Sequence, residues 1–124
     1  MQKANPWNAA CPSRTIIELL ASKWVLLLLP ALLSGPKRHG ELMRALGGVS
    51  QKMLTHTLRD LEVFGLVERH DFSQLPLRVE YSLTGRGTSL AKLLDSLDEW
   101  VIVNYGALMS DAERNQIGLR VVGN

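Results

Sequence analysis

The chain has 124 residues, enough for one domain of ordinary size and too few for two. Hydrophobic residues make up 46% of it and charged residues 21%, which is typical of a globular protein and excludes a disordered chain. The formal net charge is only +2, so total charge alone gives little support to a nucleic-acid partner.

Two further properties bear on where the protein works. The most apolar run, Trp24 to Leu33, is about half as long as a membrane-crossing helix, so we expect no membrane span. The N-terminus lacks the apolar core of a secretion signal, and the single cysteine, Cys11, cannot form an internal disulfide. Both features favour a cytoplasmic location.

The N-terminal part predicts an arm followed by two helices. Residues 1–10 show no periodicity and are expected to form a flexible arm. Ser13 is the predicted N-cap of a first helix that ends near Leu20. A second helix, Lys23 to Leu33, is apolar nearly all round and should form the centre of the core. Pro30 inside it predicts a kink or a break into two pieces, because proline in a helix interior costs about 3 kcal/mol.

The middle of the chain predicts two helices joined by a short turn. Residues 37–46 form the first, residues 47–49 the turn, and Ser50 caps a second helix that ends near Phe64. The apolar stripe of this second helix consists of Met53, Leu54, Leu58, Leu61 and Phe64. The opposite, exposed face carries Gln51, Lys52, Thr55, His56 and Arg59. This face combines cations with hydrogen-bonding groups, as a DNA-reading helix requires.

A hairpin is predicted next. Strands Leu66 to Phe72 and Arg78 to Leu83 flank the loop 73–77, and Val79, Tyr81 and Leu83 lie on one face of the second strand. Helix, turn, helix and hairpin, in this order, are typical of a winged helix-turn-helix. The predicted fold is therefore mainly α with a small β-hairpin, and further helices stand at both ends.

The C-terminal part predicts a long helix from about Thr88 to Tyr105. Its apolar residues form a surface wider than one small domain should bury, which predicts a partner. They are Leu90, Leu93, Leu94, Leu97, Trp100, Val101 and Val103. Residues 11–105 would form the domain and 106–124 an extension, in which Ser110 to Glu113 fits the start of a last short helix.

Charge is unevenly distributed along the chain. Residues 37–60 contain only two carboxylates, Glu41 and Asp60. The same segment carries the cations Lys37, Arg38, Arg44, Lys52 and Arg59. Such segregation predicts a basic face on a nearly neutral protein, which favours approach to phosphate.

Short segments in a fixed order along residues 11–103 form a recognisable pattern: Cys11-Pro12, Lys23-Trp24, Gly35-Pro36, Arg38, Glu41-Leu42, the run Ser50 to Leu54, the run Leu58 to Glu62, Gly65 to Val67 and the run Arg78 to Thr84. In these segments the chain resembles the HxlR-type winged helix-turn-helix regulators. Two departures are visible. Pro30-Ala31 replaces a charged pair, and His39 replaces an aromatic residue that usually follows the arginine.

The resemblance implies a bacterial transcription factor that binds a pseudo-palindromic operator in double-stranded DNA as a homodimer. The helix Ser50 to Phe64 would enter the major groove, with the hairpin beside the backbone or minor groove. The first and the long C-terminal helices would form the dimer interface, through Ile16, Leu20, Leu90, Leu93, Leu94, Leu97, Trp100 and Val101. Some members sense electrophiles or oxidants through a cysteine near the N-terminus, where Cys11 stands, so an electrophile or small-molecule effector is a further expected partner.

The expected DNA contacts are Lys37, Arg38, Ser50, Gln51, Lys52, Thr55, His56, Arg59 and Arg78. Lys52 and Arg59 suit phosphate or guanine, Gln51 suits adenine, and Thr55 suits a thymine methyl group. Ser50 would cap the helix, whose first amides can bind a phosphate. The alternative for the five residues on the exposed face of this helix is that they form only a solvated surface and read no DNA.

Two other residues have alternative roles. Arg78 has two roles of equal weight, contact with phosphate or the minor groove, and an ion pair with Glu80 or Glu68. Cys11 is either a small apolar filler or a sensing thiol.

Other classes of function are less well supported. A winged-helix module that binds a protein and no DNA is the main alternative. An enzyme is disfavoured because no base is placed near Cys11, and neither a phosphate-binding glycine loop nor paired catalytic carboxylates are apparent. His39, His56 and His70 are too far apart in sequence for a local metal site, and we expect neither a metal nor a cofactor.

Overall fold

The computed structural model describes residues 3–72 and 78–115. The elements, in order, are α1 (Pro12–Leu20), α2 (Lys23–Ala31), α3 (His39–Leu46), α4 (Gln51–Val63), β1 (Val67–Phe72), β2 (Arg78–Leu83) and α5 (Gly85–Arg114). The chain divides between residues 94 and 95 into two compact units. The first unit contains α1 to β2 and the start of α5, and the second contains the rest of α5. The order of elements is that of a winged helix-turn-helix, as predicted.

Helix α1 begins one residue before the serine that was predicted to cap it. Cys11 is the N-cap and Pro12 is the first helical residue, a position where proline sacrifices no helical hydrogen bond. The prediction that Ser13 caps α1 is therefore wrong. Ser13 lies inside the first turn, and its hydroxyl donates to Cys11 Sγ at 3.1 Å.

Helix α2 lies at the centre of the core and remains in one piece. Ser22 caps it by accepting from the Val25 amide at 3.4 Å. The helix ends at Ala31, one residue after Pro30, and the amides of Leu32 and Leu33 each donate to the carbonyl three residues earlier. Of the two outcomes predicted for Pro30, a kink or a break, the break into two helices is wrong, because Pro30 lies in the last turn, where the helix tightens and ends.

The core of the first unit is built from α2, α3, α4, the start of the hairpin and the first part of α5. Its buried apolar side chains are Val25, Leu28, Leu29, Leu32, Leu42, Leu46, Val49, Leu54, Leu58, Leu61, Leu66, Val67 and Ala91. These side chains bury one face of α4, and the opposite face of that helix remains exposed.

Helices α3 and α4 are joined by a turn that needs glycine. Gly48 has a φ of +92°, a conformation that side-chain-bearing residues rarely adopt. Helix α3 begins at His39, later than predicted, because Lys37 pairs with Tyr81 of β2 instead of joining the helix. The Lys37 amide donates to the Tyr81 carbonyl at 2.9 Å and the Tyr81 amide donates back at 2.8 Å.

Strands β1 and β2 form an antiparallel hairpin in which Val67 faces Leu83 and Phe72 faces Arg78. Only Val67 of β1 is buried, so the predicted alternation of buried and exposed residues in this strand is wrong. In β2, Tyr81 and Leu83 pack against the core. The predicted loop 73–77 lies outside the described residues.

Helix α5 is longer than predicted at both ends. Thr84 precedes it and joins two elements: its hydroxyl donates to the Gly65 carbonyl at 2.7 Å and accepts from the Gly87 amide at 3.0 Å. The helix continues through Ser110 to Arg114, so the separate short helix predicted there is wrong. In the described part of the chain, no helix is both long and apolar enough to span a membrane.

Candidate nucleic-acid interface

Helix α4 presents the predicted polar face to solvent. The Ser50 hydroxyl accepts from the Met53 amide at 3.0 Å and so caps the helix, as predicted. Leu54, Leu58 and Leu61 are fully buried and fix the rotation of the helix about its axis. The five side chains predicted on the opposite face are all exposed: Gln51, Lys52, Thr55, His56 and Arg59. Together with Ser50 and Met53 they line one shallow groove.

Two members of the predicted apolar stripe do not belong to the core. Met53 is 42% exposed and lines the groove, and Phe64 is 38% exposed at the end of the helix. Thr57 is buried instead, at 6% exposure, and its hydroxyl donates to the Met53 carbonyl at 2.8 Å. The prediction that Met53 belongs to the core is therefore wrong, because an apolar residue at the edge of a helical stripe can face either the core or the solvent.

The charge of this face is mostly uncompensated. Among the described residues, Lys52 and Arg59 have neither an ion-pair nor a hydrogen-bond partner. His56 is the exception, since its Nε2 lies 3.4 Å from a carboxylate oxygen of Asp60. Two free cations beside hydrogen-bonding groups can attract phosphate and read base edges.

A hydrogen bond connects α3 to this face. His39 Nε2 and Thr55 Oγ1 lie 3.2 Å apart. His39 was not among the predicted site residues, although it is one of the two places where the chain departs from the pattern that it resembles. That departure was the only signal in the sequence that could have indicated it.

A second groove lies between α3 and the hairpin. Its lining consists of Pro36, Arg38, Gly40, Glu41, Arg44, Arg78 and Glu80. It brings the predicted Arg38 and Arg78 together and adds Arg44, which was counted in the basic segment but was not predicted as a contact. Lys37 does not line this groove, and its Nζ lies 2.8 Å from Ser34 Oγ.

The carboxylates of this second groove are already engaged. Glu41 accepts from the Arg38 amide at 2.8 Å, and this bond, aided by the nearby cations Arg38, Lys37 and Arg44, lowers the pKa of Glu41. Arg78 Nε lies 3.0 Å from Glu80, and its guanidinium lies over the Phe72 ring at 5.8 Å. Of the two roles left open for Arg78, the ion pair with Glu80 is therefore observed.

Cys11 occupies a small polar site at the start of α1. Its Sγ accepts from the Ser13 hydroxyl at 3.1 Å and from the Asn5 amide at 3.4 Å. These two hydrogen bonds, that of Ser13 first, lower the pKa of the Cys11 thiol because they favour the thiolate. Cys11 is a free thiol and only partly buried, so it does not serve as a core filler.

Each unit carries an apolar surface among the predicted interface residues. In the first unit, Ile16, Leu20, Leu90 and Leu93 line a groove with Phe64, Leu66, Arg86 and Ser89. Leu20, Leu90 and Leu94 also pack against the core of that unit. In the second unit the predicted interface residues Leu97, Trp100 and Val101 are exposed, and so are the large apolar side chains of Ile102, Val103, Tyr105 and Leu108, which were not in the predicted interface. No group of three or more His, Cys, Asp or Glu residues in residues 3–72 and 78–115 is placed to hold a metal ion.

Comparison with known proteins identifies the class. A model of the HxlR-like helix-turn-helix family matches residues 19–108, and the chain belongs to this family. YtfH of Escherichia coli, named as an HTH-type transcriptional regulator, is 36% identical over 110 residues, which cover 89% of this chain and 87% of that protein. The protein is therefore a transcriptional regulator of the helix-turn-helix type.

Solved structures agree with the family. The transcriptional regulator YtfH from Salmonella typhimurium matches with a TM-score of 0.83 and 35% identity, over 90% of this chain and 99% of that chain. The redox regulator HypR in its reduced form matches with a TM-score of 0.72 and 35% identity, over 80% of this chain and 98% of that chain.

Proposed function

We propose that the protein binds a pseudo-palindromic operator as a homodimer and that α4 is the helix that reads the DNA. The observation that carries this proposal is the pair of exposed cations, Lys52 and Arg59, on the face of α4 opposite its buried leucines; neither has a partner in residues 3–72 and 78–115. An α-helix fits the major groove of B-DNA, where such cations reach phosphates or guanine. Two copies would place their α4 helices about one turn of DNA apart.

The exposed apolar side chains support the homodimer. Trp100 is 55% exposed and Leu97 47% exposed in the second unit, and Ile16 and Leu93 are exposed in the first. Leaving so many large apolar side chains in water is unfavourable, and a second copy would cover them. A dimer also doubles the number of DNA contacts and matches a two-fold symmetric site.

Cys11 supplies a regulatory element in this proposal. Its lowered pKa increases the fraction of thiolate, which is the form that reacts with oxidants and electrophiles. The similar protein HypR is named as a redox regulator and was solved in reduced and oxidised forms. We infer that oxidation of Cys11 changes the affinity of the protein for its operator.

Footprinting of the purified protein on genomic fragments, its own upstream region included, tests the DNA proposal. We expect protection of two half-sites related by approximate two-fold symmetry. Lys52→Ala and Arg59→Ala should each weaken binding, and the loss of one phosphate contact should reduce the slope of log affinity against log salt by about one. Arg114→Ala, which removes an exposed arginine paired with Asp111 in the second unit, is the matched control.

The outcome of this experiment separates the two classes of function. No protection and no retention on heparin would favour a module that binds a protein and would contradict the proposal. Normal operator affinity in the double variant of Lys52 and Arg59 would show that another face reads the DNA.

Cys11→Ser tests the regulatory part. Diamide should change the operator affinity of the wild-type protein and leave that of Cys11→Ser unchanged. A non-reducing gel then distinguishes a disulfide between two copies from modification of a single thiol. An equal diamide response in both proteins would contradict a role for Cys11.

A further inference from the structure

The hydroxyl group of Thr55 is bound differently from those of two other helical threonines in this protein. Thr57 and Thr88 donate to the carbonyl four residues earlier, at 2.8 and 2.9 Å, as threonine commonly does inside a helix. Thr55 Oγ1 is instead hydrogen-bonded to His39 Nε2 on the neighbouring helix α3, at 3.2 Å.

This bond determines the orientation of the Thr55 side chain. Threonine in a helix divides between two χ1 rotamers, so a partner for the hydroxyl selects one of them. With Oγ1 directed toward α3, the tetrahedral geometry at Cβ directs the γ-methyl group away from α3. Thr55 lines the groove of α4 beside Gln51 and Arg59, so the methyl group belongs to the reading surface.

We propose that His39 is a specificity-determining positioning residue: by holding the Thr55 hydroxyl, it makes Thr55 read a thymine methyl group in the operator. This inference rests on the proposed function of α4. A threonine whose hydroxyl is free can hydrogen-bond to more than one base, whereas one that presents only its methyl group selects thymine through its C5-methyl group. His39 thus affects DNA recognition indirectly: it lies on α3 and positions Thr55, which makes the contact with the base.

The first experiment replaces thymine by deoxyuracil, one position at a time, in the operator fragment defined by footprinting. This change removes one methyl group and retains the hydrogen-bonding pattern of the base. For the wild-type protein we expect one position in each half-site at which binding weakens about fourfold, the value for the burial of one methyl group. His39→Phe retains a planar ring and removes the nitrogen, and it should abolish this discrimination.

Two further variants separate positioning from other effects. His39→Gln provides an amide near the position of Nε2 and should restore part of the discrimination. Thr55→Val has methyl groups at both γ positions and should retain the thymine preference without help from His39. In the Thr55→Val background, His39→Phe should therefore have no additional effect, so the two changes are strongly non-additive.

Several results would overturn the inference. Equal weakening of thymine and uracil fragments by His39→Phe would show a general structural role, as would a lowered thermal midpoint that accounts for the loss of binding. An undiminished effect of His39→Phe in the Thr55→Val background would show that His39 does not act through Thr55. A wild-type protein that binds its operator but ignores every thymine methyl would overturn this inference alone, whereas one that binds no fragment would overturn the proposed function as well.

Discussion

Among the glycines that the structure describes, Gly87 leaves the least room for a side chain. A Cβ added there would lie 1.8 Å from the carbonyl oxygen of Leu66. Gly87→Ala should therefore destabilise the protein by about 3 kcal/mol or more, because a backbone group must move. Gly106, also in α5, has nothing within 4 Å of such a Cβ. The same change there should stabilise the helix by up to about 1 kcal/mol, and urea unfolding of both variants would measure the contrast.

Glu41 gives a pH dependence of stability whose sign can be worked out. Its pKa is lowered in the folded protein by the Arg38 amide and by nearby cations. A carboxyl group with a depressed folded pKa stabilises the protein above its unfolded pKa, and this stabilisation is lost as the pH falls through the folded pKa. Glu41→Gln keeps the acceptor and removes the charge, so the variant should be less stable near pH 7.

The difference in thermal midpoint between wild type and Glu41→Gln should shrink as the pH is lowered from about 7 to about 3, because protonated glutamate resembles glutamine. A difference that stays constant over this range would show that the charge of Glu41 contributes nothing.

Residue-scale predictions from sequence were accurate where polarity decides the outcome. All five polar residues assigned to the exposed face of α4 lie there. Met53 was wrongly assigned to the core, and Arg44 was not predicted as a contact. The environment of each side chain depends on how the neighbouring elements pack, which the local sequence does not give. The His39–Thr55 bond joins residues 16 apart in sequence, and no local pattern encodes it.

At the scale of elements, the start of α4 depends on one side chain. The Ser50 hydroxyl satisfies the Met53 amide, which otherwise has no partner in the first turn. Ser50→Ala should destabilise the protein by about 1 kcal/mol, within the usual range for such caps. The same substitution at Ser110, inside α5, should have little effect or be slightly stabilising. Equal effects at both sites, measured by urea unfolding, would argue against the cap.

Element boundaries were predictable where a cap or a glycine acts locally. The bounds of α4 and β2 follow from Ser50, the turn after Phe64 and the apolar pattern of the strand. The start of α3 was missed because Lys37 pairs with Tyr81, a partner distant in sequence. The length of α5 was underestimated. Gly85, Gly87 and Ser110 are residue types that often mark helix ends, but the helix includes all three.

At the scale of the whole molecule, the exposed apolar residues predict a dimer. Trp100→Glu should shift the protein toward monomer and weaken operator binding, because a buried charge without a partner is unfavourable in an interface. Sedimentation measures the oligomeric state directly. Trp7→Glu, at a tryptophan that is also exposed but lies outside the predicted interface, is the control. A wild-type monomer, or equal behaviour of the two variants, would contradict the predicted interface.

The class of the protein could be predicted from its sequence because several short matches occur in the correct order along the chain. The family match over residues 19–108 confirms that prediction.

The pairing of Lys37 with Tyr81 constrains the main chain at position 37 and leaves its side chain open to substitution. Both hydrogen bonds use main-chain atoms of Lys37, so they accept nearly any side chain. Proline is the exception, since it has no amide hydrogen to donate. Single substitutions at position 37 can therefore alter the charge beside β2 while both hydrogen bonds to Tyr81 are retained, and a saturation library selected for folding alone should tolerate every class of residue there except proline.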